Sequence, residues 1–387
     1  MIAGASVMFA VFFAAVMSSV QTGSHDYMIE SAVSFYTGHI QIQGKQYWEK
    51  RSLDESIAID RSLIERLRAE PHVTHVSARL ETVALISRGT ATKVSPVIGV
   101  DPVAEDGMTG LGRRLIRGSS LGQWSKGAFV AEGMARMLNV DVGDSIVVYG
   151  QGYHGVTAAA VIIVAGILRF PLPYLNNAMM YLTLPAAQDL FAAPGRATAV
   201  ALLLDSDKGL TNTAASLQSI ADDSMVIMTW PEMMPELLQA ITVDDGGTVI
   251  MLLILYIVIG FGIYGTVMMM TAERAREFGV SIALGMKRWR LMSVVVMESL
   301  MISMMGAIAG IALAIPVVAY FVQFPIRLGG DYAKAMLAYG MEPIIQFSGD
   351  PMMFVGQGIV VFLLGGLSAL YPVFFLRRLE PVEAMHK

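Results

Sequence analysis

Between residues 273 and 290 the chain reads ERAREFGVSIALGMKRWR, which sets seven charges (Glu273, Arg274, Arg276, Glu277, Lys287, Arg288 and Arg290) between two of the longest apolar runs in the sequence. Such a stretch suits either a helix that transmits a push or a topology anchor with no partner. A second charged group is conspicuous for its isolation. Glu298 stands about two turns inside an apolar run, where a carboxylate is costly in lipid and must face a partner, water, a headgroup or a nearby Arg. Other patterns carry less. Gly118 to Gly122 spells GSSLG, the form of a nucleophile elbow with Ser120 as nucleophile, but QWSKG follows where that elbow needs a helix. His72 and His75 could ligate a metal from one helical face, yet Pro71 precedes them and no carboxylate motif accompanies them, so they read as surface histidines. Nothing matches G-x-x-x-x-G-K-[ST], the loop whose amides cradle nucleotide phosphates, so the chain is not expected to hydrolyse ATP and needs no cofactor of its own.

The elements around these groups follow from composition. Of the 387 residues 55% are hydrophobic and 15% charged, with a mean hydropathy of +0.57, which excludes an ordinary soluble enzyme. A bilayer core needs about 20 apolar residues in helical form. Residues 2–20, 248–270 and 352–376 carry no charge and 291–322 carries one, Glu298, which predicts four transmembrane helices. Residues 21–245 then form a large mixed α+β domain between the first and second. It has a helical period over Ser56 to Ala69 and strand-like runs at 82–87, 144–149, 161–168, 179–184 and 200–204.

Within 271–290, Phe278, Ile282, Gly285 and Trp289 fall at i, i+4, i+7 and i+11, one helical face, while Gly279 and Gly285 are expected to allow close backbone approach or the turn that ends the helix. Glu273 and Glu277 suit its N-terminus, and Lys287, Arg288 and Arg290 suit its C-terminal side or lipid headgroups. Five Lys and Arg lie in 272–290, against two, Arg327 and Lys334, in 323–351. That asymmetry puts 271–290 and the 377–387 tail in the cytoplasm, and the large domain and the 323–351 loop outside. Gly306 and Gly310 permit close helix approach, and Pro316 and Pro372 are candidate kinks. No basic residue precedes the first apolar run, so either the start is truncated or the later charges orient the protein, with a cleaved signal peptide as the other reading. With no cysteine, no disulfide can staple the outer domain.

The run Glu273, Arg274, Glu277, Gly279, Ala283, Gly285 fills every position of ER-x-x-E-x-G-x-x-x-A-x-G, and the chain thereby resembles the FtsX-like permease family of ABC transporters. Glu298, the four-helix layout, the tail residues Leu379, Pro381, Glu383 and Ala384, and the stretches at 38–48, 130–146 and 229–237 fit the same family, its lipoprotein-releasing branch best. The resemblance implies a multi-pass bacterial inner-membrane permease. It implies that 271–290 is a coupling helix seated on a cytoplasmic ATPase dimer, which holds ATP and magnesium. It further implies a second permease subunit, identical or paralogous, contact with membrane lipid, and no nucleic-acid partner. The cargo implied is a lipoprotein, with export of a small amphiphile or control of a cell-wall hydrolase as alternatives, and a membrane sensor or scaffold from outside transport. The connector RFPLPYLNN, with Phe170, Leu172, Tyr174 and Leu175 around two prolines, occupies the region where lipoprotein-releasing permeases reach a soluble carrier; a buried turn is the other reading.

Overall fold

The apolar runs fold as helices because backbone groups in such runs are satisfied within the segment itself. The computed structural model describes residues 2–33, 37–119, 127–170, 173–338 and 343–378. The helices that concern the site are α1 (Ile2–Ala32), α2 (Pro235–Glu273), α3 (Ala275–Ala283), α4 (Arg288–Gln323), α5 (Pro351–Ser368) and α6 (Leu370–Arg378). Among the described residues, four helical segments (in α1, α2, α4 and the α5–α6 pair) are long and apolar enough to cross a membrane. Two outrun the apolar stretches: α1 continues to Ala32 instead of ending near Val20, and α2 starts at Pro235, ahead of Thr248. Hydropathy marks what lipid can cover, whereas helical hydrogen bonding continues through polar residues in water. Pro316 lies inside α4, while the last apolar run breaks at Ala369, just before Pro372 in the first turn of α6.

Two compact units result: residues 1–27, 239–327 and 344–387 form one, and residues 28–238 with 328–343 form the other, drawn more tightly than the expected 21–245 and joined by part of the 323–351 loop. In the first unit Val7 and Val11 of α1 pack with Ile259, Ile263 and Val267 of α2, Ala307 of α4 and Val361 of α5. The small residues of α4 make this possible. A Cβ on Gly306 would stand 2.8 Å from Val7 Cβ, and one on Gly310 would stand 2.5 Å from the Met8 carbonyl oxygen. A second cluster joins Phe278 of α3 to Leu291 and Val295 of α4 and Leu376 of α6.

The second unit is built on one ten-stranded sheet. Its strands are β1 (Ile40–Gly44), β2 (Val73–Arg88), β3 (Ala91–Val100), β4 (Leu115–Gly118), β5 (Ala128–Ala131), β6 (Ser145–Gln151), β7 (Thr157–Leu168), β8 (Met180–Thr183), β9 (Ala199–Leu204) and β10 (Met225–Thr229). The long β2 pairs with β9 through its first half and with β6 through its second, while pairing with β3 along 79–88. Because β3 pairs β8, β8 pairs β5, β5 pairs β7 and β7 pairs β6, these six strands close into a barrel. Alternation fills it: Ala84 and Ile86, Ile146 and Val148, and Val97 point into one core cluster, where Phe191 and Met134 join them. The flanking strands β10, β1 and β9 bury Ile40, Ile42, Val200 and Leu202 with Leu63 and Leu67.

The predicted strands all appear, but the helix expected over Ser56 to Ala69 is shorter. Ile57–Ala58 is extended against Arg196–Ala197, and the helix covers Arg61–Arg68, because the Asp60 carboxylate accepts from the Leu63 N–H at 2.7 Å and fixes the start there. His72 and His75 share no helical face. His75 lies in β2, and His72, at φ 69°, sets Nδ1 3.1 Å from Asp205 Oδ2.

Candidate functional site

The charged stretch is two helices rather than one. α2 ends at Glu273, Arg274 occupies the cap, α3 runs over Ala275–Ala283, and α4 begins at Arg288 with Lys287 as its cap. The break has a specific cause. Gly285 adopts φ 98°, its N–H donates to Ile282 O at 3.0 Å, and the Met286 N–H donates to Ser281 O at 3.1 Å. This pair of bonds closes a helix with a left-handed residue that glycine adopts without strain. Gly285 therefore ends α3 and takes no part in an apolar face; the space around it is open. Trp289 belongs to the first turn of α4 and is 58% exposed, with Arg290 over its ring. The expected single face thus reduces to Phe278 and Ile282, and the face of α3 is anchored by Phe278, which is buried beside Leu291, Val295 and Leu376. Gly279 is buried beside it, and Ala283 is the last residue of the helix.

The basic trio is also relocated. Lys287, Arg288 and Arg290 sit at the N-terminus of α4, not at the C-terminal side of a coupling helix, so the macrodipole no longer favours them. Arg288 finds another helix end: its Nη1 donates to the Arg377 carbonyl at 2.7 Å, in the last turn of α6. Of the tail, residues 379–387 lie outside the described residues.

Arg274 is the hub. Its Nη1 donates to both carboxylate oxygens of Glu298 on α4 at 2.8 and 2.6 Å, its Nε donates to Glu277 Oε2 on α3 at 3.1 Å, and its guanidinium lies over the Phe278 ring. The hydrogen bonds from Glu277 and then Glu298 hold Arg274 firmly charged against a small opposing effect of burial. So the isolated carboxylate of the apolar run meets a nearby Arg, and the pair lines a small pocket of mixed character together with Val267, Met270, Thr271, Phe278, Val295 and Ser299. Glu277 spends one oxygen on Arg274, yet its side chain stays 69% exposed and available to a partner; Glu273 closes α2. Sequence spacing brought Arg274 and Glu277 together, but not the pair across 24 residues to Glu298.

In the connector at 169–177, Phe170 and Leu175 are buried while Arg169, Pro173, Tyr174 and Asn177 are exposed. Phe170 and Leu175 are packed with Phe129, Leu168, Met179 and Tyr181, which withdraws them from any carrier. Arg169 makes a two-pronged contact with Glu132 at 2.8 and 2.9 Å, which holds the Glu132 carboxyl below its ordinary range, and Phe170 N–H donates to Asn176 Oδ1 at 3.0 Å. Tyr174 points outward at 58% exposure; Leu172 lies outside the described residues, as does Ser120.

Comparison with known proteins matches residues 249–381 to the FtsX-like permease C-terminal model and residues 1–220 to the MacB-like periplasmic core domain. The chain is 23% identical over 338 residues to the lipoprotein-releasing system transmembrane protein LolE of Haemophilus influenzae, covering 84% of this chain and 80% of that one. It is 31% identical over 154 residues to the macrolide export ATP-binding/permease protein MacB of Campylobacter jejuni, covering 38% of this chain but 21% of MacB, and 28% identical over 126 residues to MacB of Hyphomonas neptunium, covering 33% and 17%. This chain therefore spans about a fifth of the MacB proteins it matches. Among solved structures, the periplasmic region of MacB from Actinobacillus actinomycetemcomitans aligns at 13% identity and TM-score 0.37, covering 52% of this chain and 94% of that one. The extracellular domain of the ABC-type transporter YknZ aligns at 14% and 0.35, covering 49% and 99%.

Proposed function

Since this chain belongs to the FtsX-like permease family, with a MacB-like periplasmic core domain, we propose that it is an ABC-transporter permease subunit that transmits the motion of a separate ATPase to its periplasmic domain and so releases a lipoprotein from the inner membrane. The observation that carries the reading is the Arg274 bridge: a push on α3 at Glu277 and Phe278 passes through Arg274 to Glu298, and so into the spanning helix α4. Similarity to LolE over most of the chain supports the lipidated cargo, while the MacB likeness supports a small amphiphile as the second reading. A second permease subunit completes the complex, and a soluble carrier has Tyr174, the exposed aromatic side chain of the described connector residues, as a contact. ATP and magnesium belong to the partner.

The test is cargo-stimulated ATPase activity of the full chain reconstituted with the ATPase that co-purifies with it. Glu277→Lys sets a cation beside Arg274 and toward the partner, and Gly285→Trp strains the left-handed turn that ends α3. Each is expected to lower stimulation about tenfold, the equivalent of about 1.4 kcal/mol. Wild-type stimulation and co-purification in both variants would leave 273–290 as a topology anchor alone. The sidedness inferred from Lys and Arg is read separately: reporters fused after Leu204 and after Lys387 are expected outside and inside respectively, and the reverse pattern would invert the assignment.

A further inference from the structure

Away from the coupling stretch, α1 and α2 are joined by a polar cluster. His25 of α1 has a side chain only 11% exposed; its Nε2 lies 2.8 Å from Asp244 Oδ2 and its Nδ1 lies 3.1 Å from Asp245 Oδ1, both on α2. The Gln21 amide nitrogen donates to Asp244 Oδ2 and lies 2.8 Å from His25 Nε2, to which it can donate only when that nitrogen carries no proton. A neutral imidazole carries one N–H, so only the imidazolium donates to both carboxylates at once. Because the carboxylates sit at opposite ring nitrogens, they cannot converge with His25 on one metal ion. The cluster lies just beyond the apolar run 2–20 and just before 248–270.

A third segment is wedged beside it. Ser19 Oγ donates to the Ser348 carbonyl at 2.7 Å, the Ser348 N–H returns to Ser19 O at 2.9 Å, and a Cβ on Gly23 would stand 2.4 Å from the Phe347 backbone. Gln346, Phe347 and Ser348 bring no titratable group; Asp244 and Asp245 are the charges facing the imidazole from α2, and Asp26 and Glu30 lie exposed on α1 itself.

We propose that His25 is a proton-operated clasp that fastens α1 to α2 where the two helices leave their apolar runs. Protonated, it bridges Asp244 and Asp245; deprotonated, it can donate to only one of them and leaves two adjacent carboxylates unneutralised, so loss of the proton lets the helices part. The clasp acts within one chain and does not depend on the ATPase reading.

The absence of cysteine makes the test direct. Thr22→Cys and Val243→Cys, spin-labelled in the full chain in lipid nanodiscs, report the α1 to α2 distance at about pH 5.5 and about pH 8.5, on either side of the ordinary histidine range. The expected result is a narrow distribution in acid whose wide-distance fraction grows at least about twofold in base. His25→Gln, which keeps a hydrogen-bonding side chain but cannot titrate, is expected to give one distribution at both pH values. Asp245→Asn is expected to raise the wide-distance fraction in acid. No pH response in the parent, the parent's response retained in His25→Gln, or an unchanged acid distribution in Asp245→Asn would each overturn the clasp. Should His25→Gln not insert, the Asp245→Asn comparison decides alone.

Discussion

Replacing Arg79 by methionine is expected to cost the periplasmic domain about 3–5 kcal/mol, the penalty for leaving a buried charge without its partner. Arg79 on β2 is 1% exposed, and so is Glu105 in the helix Pro102–Thr109. Arg79 Nη2 and Nε donate to the two Glu105 oxygens at 2.8 and 3.0 Å, Ser77 donates to the same carboxylate at 2.8 Å, and Glu81 Oε1 lies 4.0 Å away. Burial works against the Arg79 charge, but the Glu105 and Glu81 carboxylates outweigh it, so the guanidinium stays protonated. Methionine fills similar volume and strands Glu105. Urea unfolding of the full chain, with hydrogen exchange in β2 and in 102–109, measures the loss. Arg79→Met with Glu105→Leu and Glu81→Gln, which removes all three charges, is expected to recover most of it. A single variant within about 1 kcal/mol of the parent would show that the pair contributes little.

That pair was invisible in the sequence, and the reason is physical. Arg79 and Glu81 flank Leu80, and nothing local reports that β2 is buried on both faces there, with the helix that carries Glu105 packed on the Arg79 side. Apolar runs, by contrast, were legible because lipid imposes a length and a composition on each segment by itself. The barrel strands were legible singly and their closure was not, because it depends on β2 being long enough to exchange one neighbour for another midway. At the site, the sequence named Arg274, Glu277, Phe278 and Glu298 but joined them wrongly. Helical spacing ran a face through Gly285, although glycine there also suited a turn that ends the helix; the left-handed residue does stop it, which places Trp289 and the basic trio on α4. In the connector, the sequence left carrier docking and a buried turn both open for Phe170 and Leu175; both side chains are buried, held by the contacts of Arg169 with Glu132 and of Phe170 with Asn176.

Arg274→Glu is expected to uncouple the complex while leaving the fold in place, and that separation identifies the bridge as a transmitter. The Arg274 and Glu298 side chains are 40% and 36% exposed, so solvent screens the pair and its stabilising effect is about 0.5–1 kcal/mol at most. Thermal stability and insertion of Arg274→Glu are expected to stay within about that range. Its effect on coupling is larger, because the substitution places a carboxylate against both Glu277 and Glu298 and drives α3 away from α4 when the ATPase presses on it. Cargo-stimulated ATPase activity is expected to fall about tenfold or more, with co-purification retained. The discriminating variant is the exchange Arg274→Glu with Glu298→Arg, which reverses the pair. It restores the link between α3 and α4 but offers Glu277 a carboxylate, so recovery is expected to be partial, and adding Glu277→Gln is expected to improve it. If the exchange recovered nothing although the protein inserted and bound its ATPase, the force would enter α4 through the apolar contact of Phe278 with Leu291 and Val295 instead, and Arg274 would serve only to cap α3.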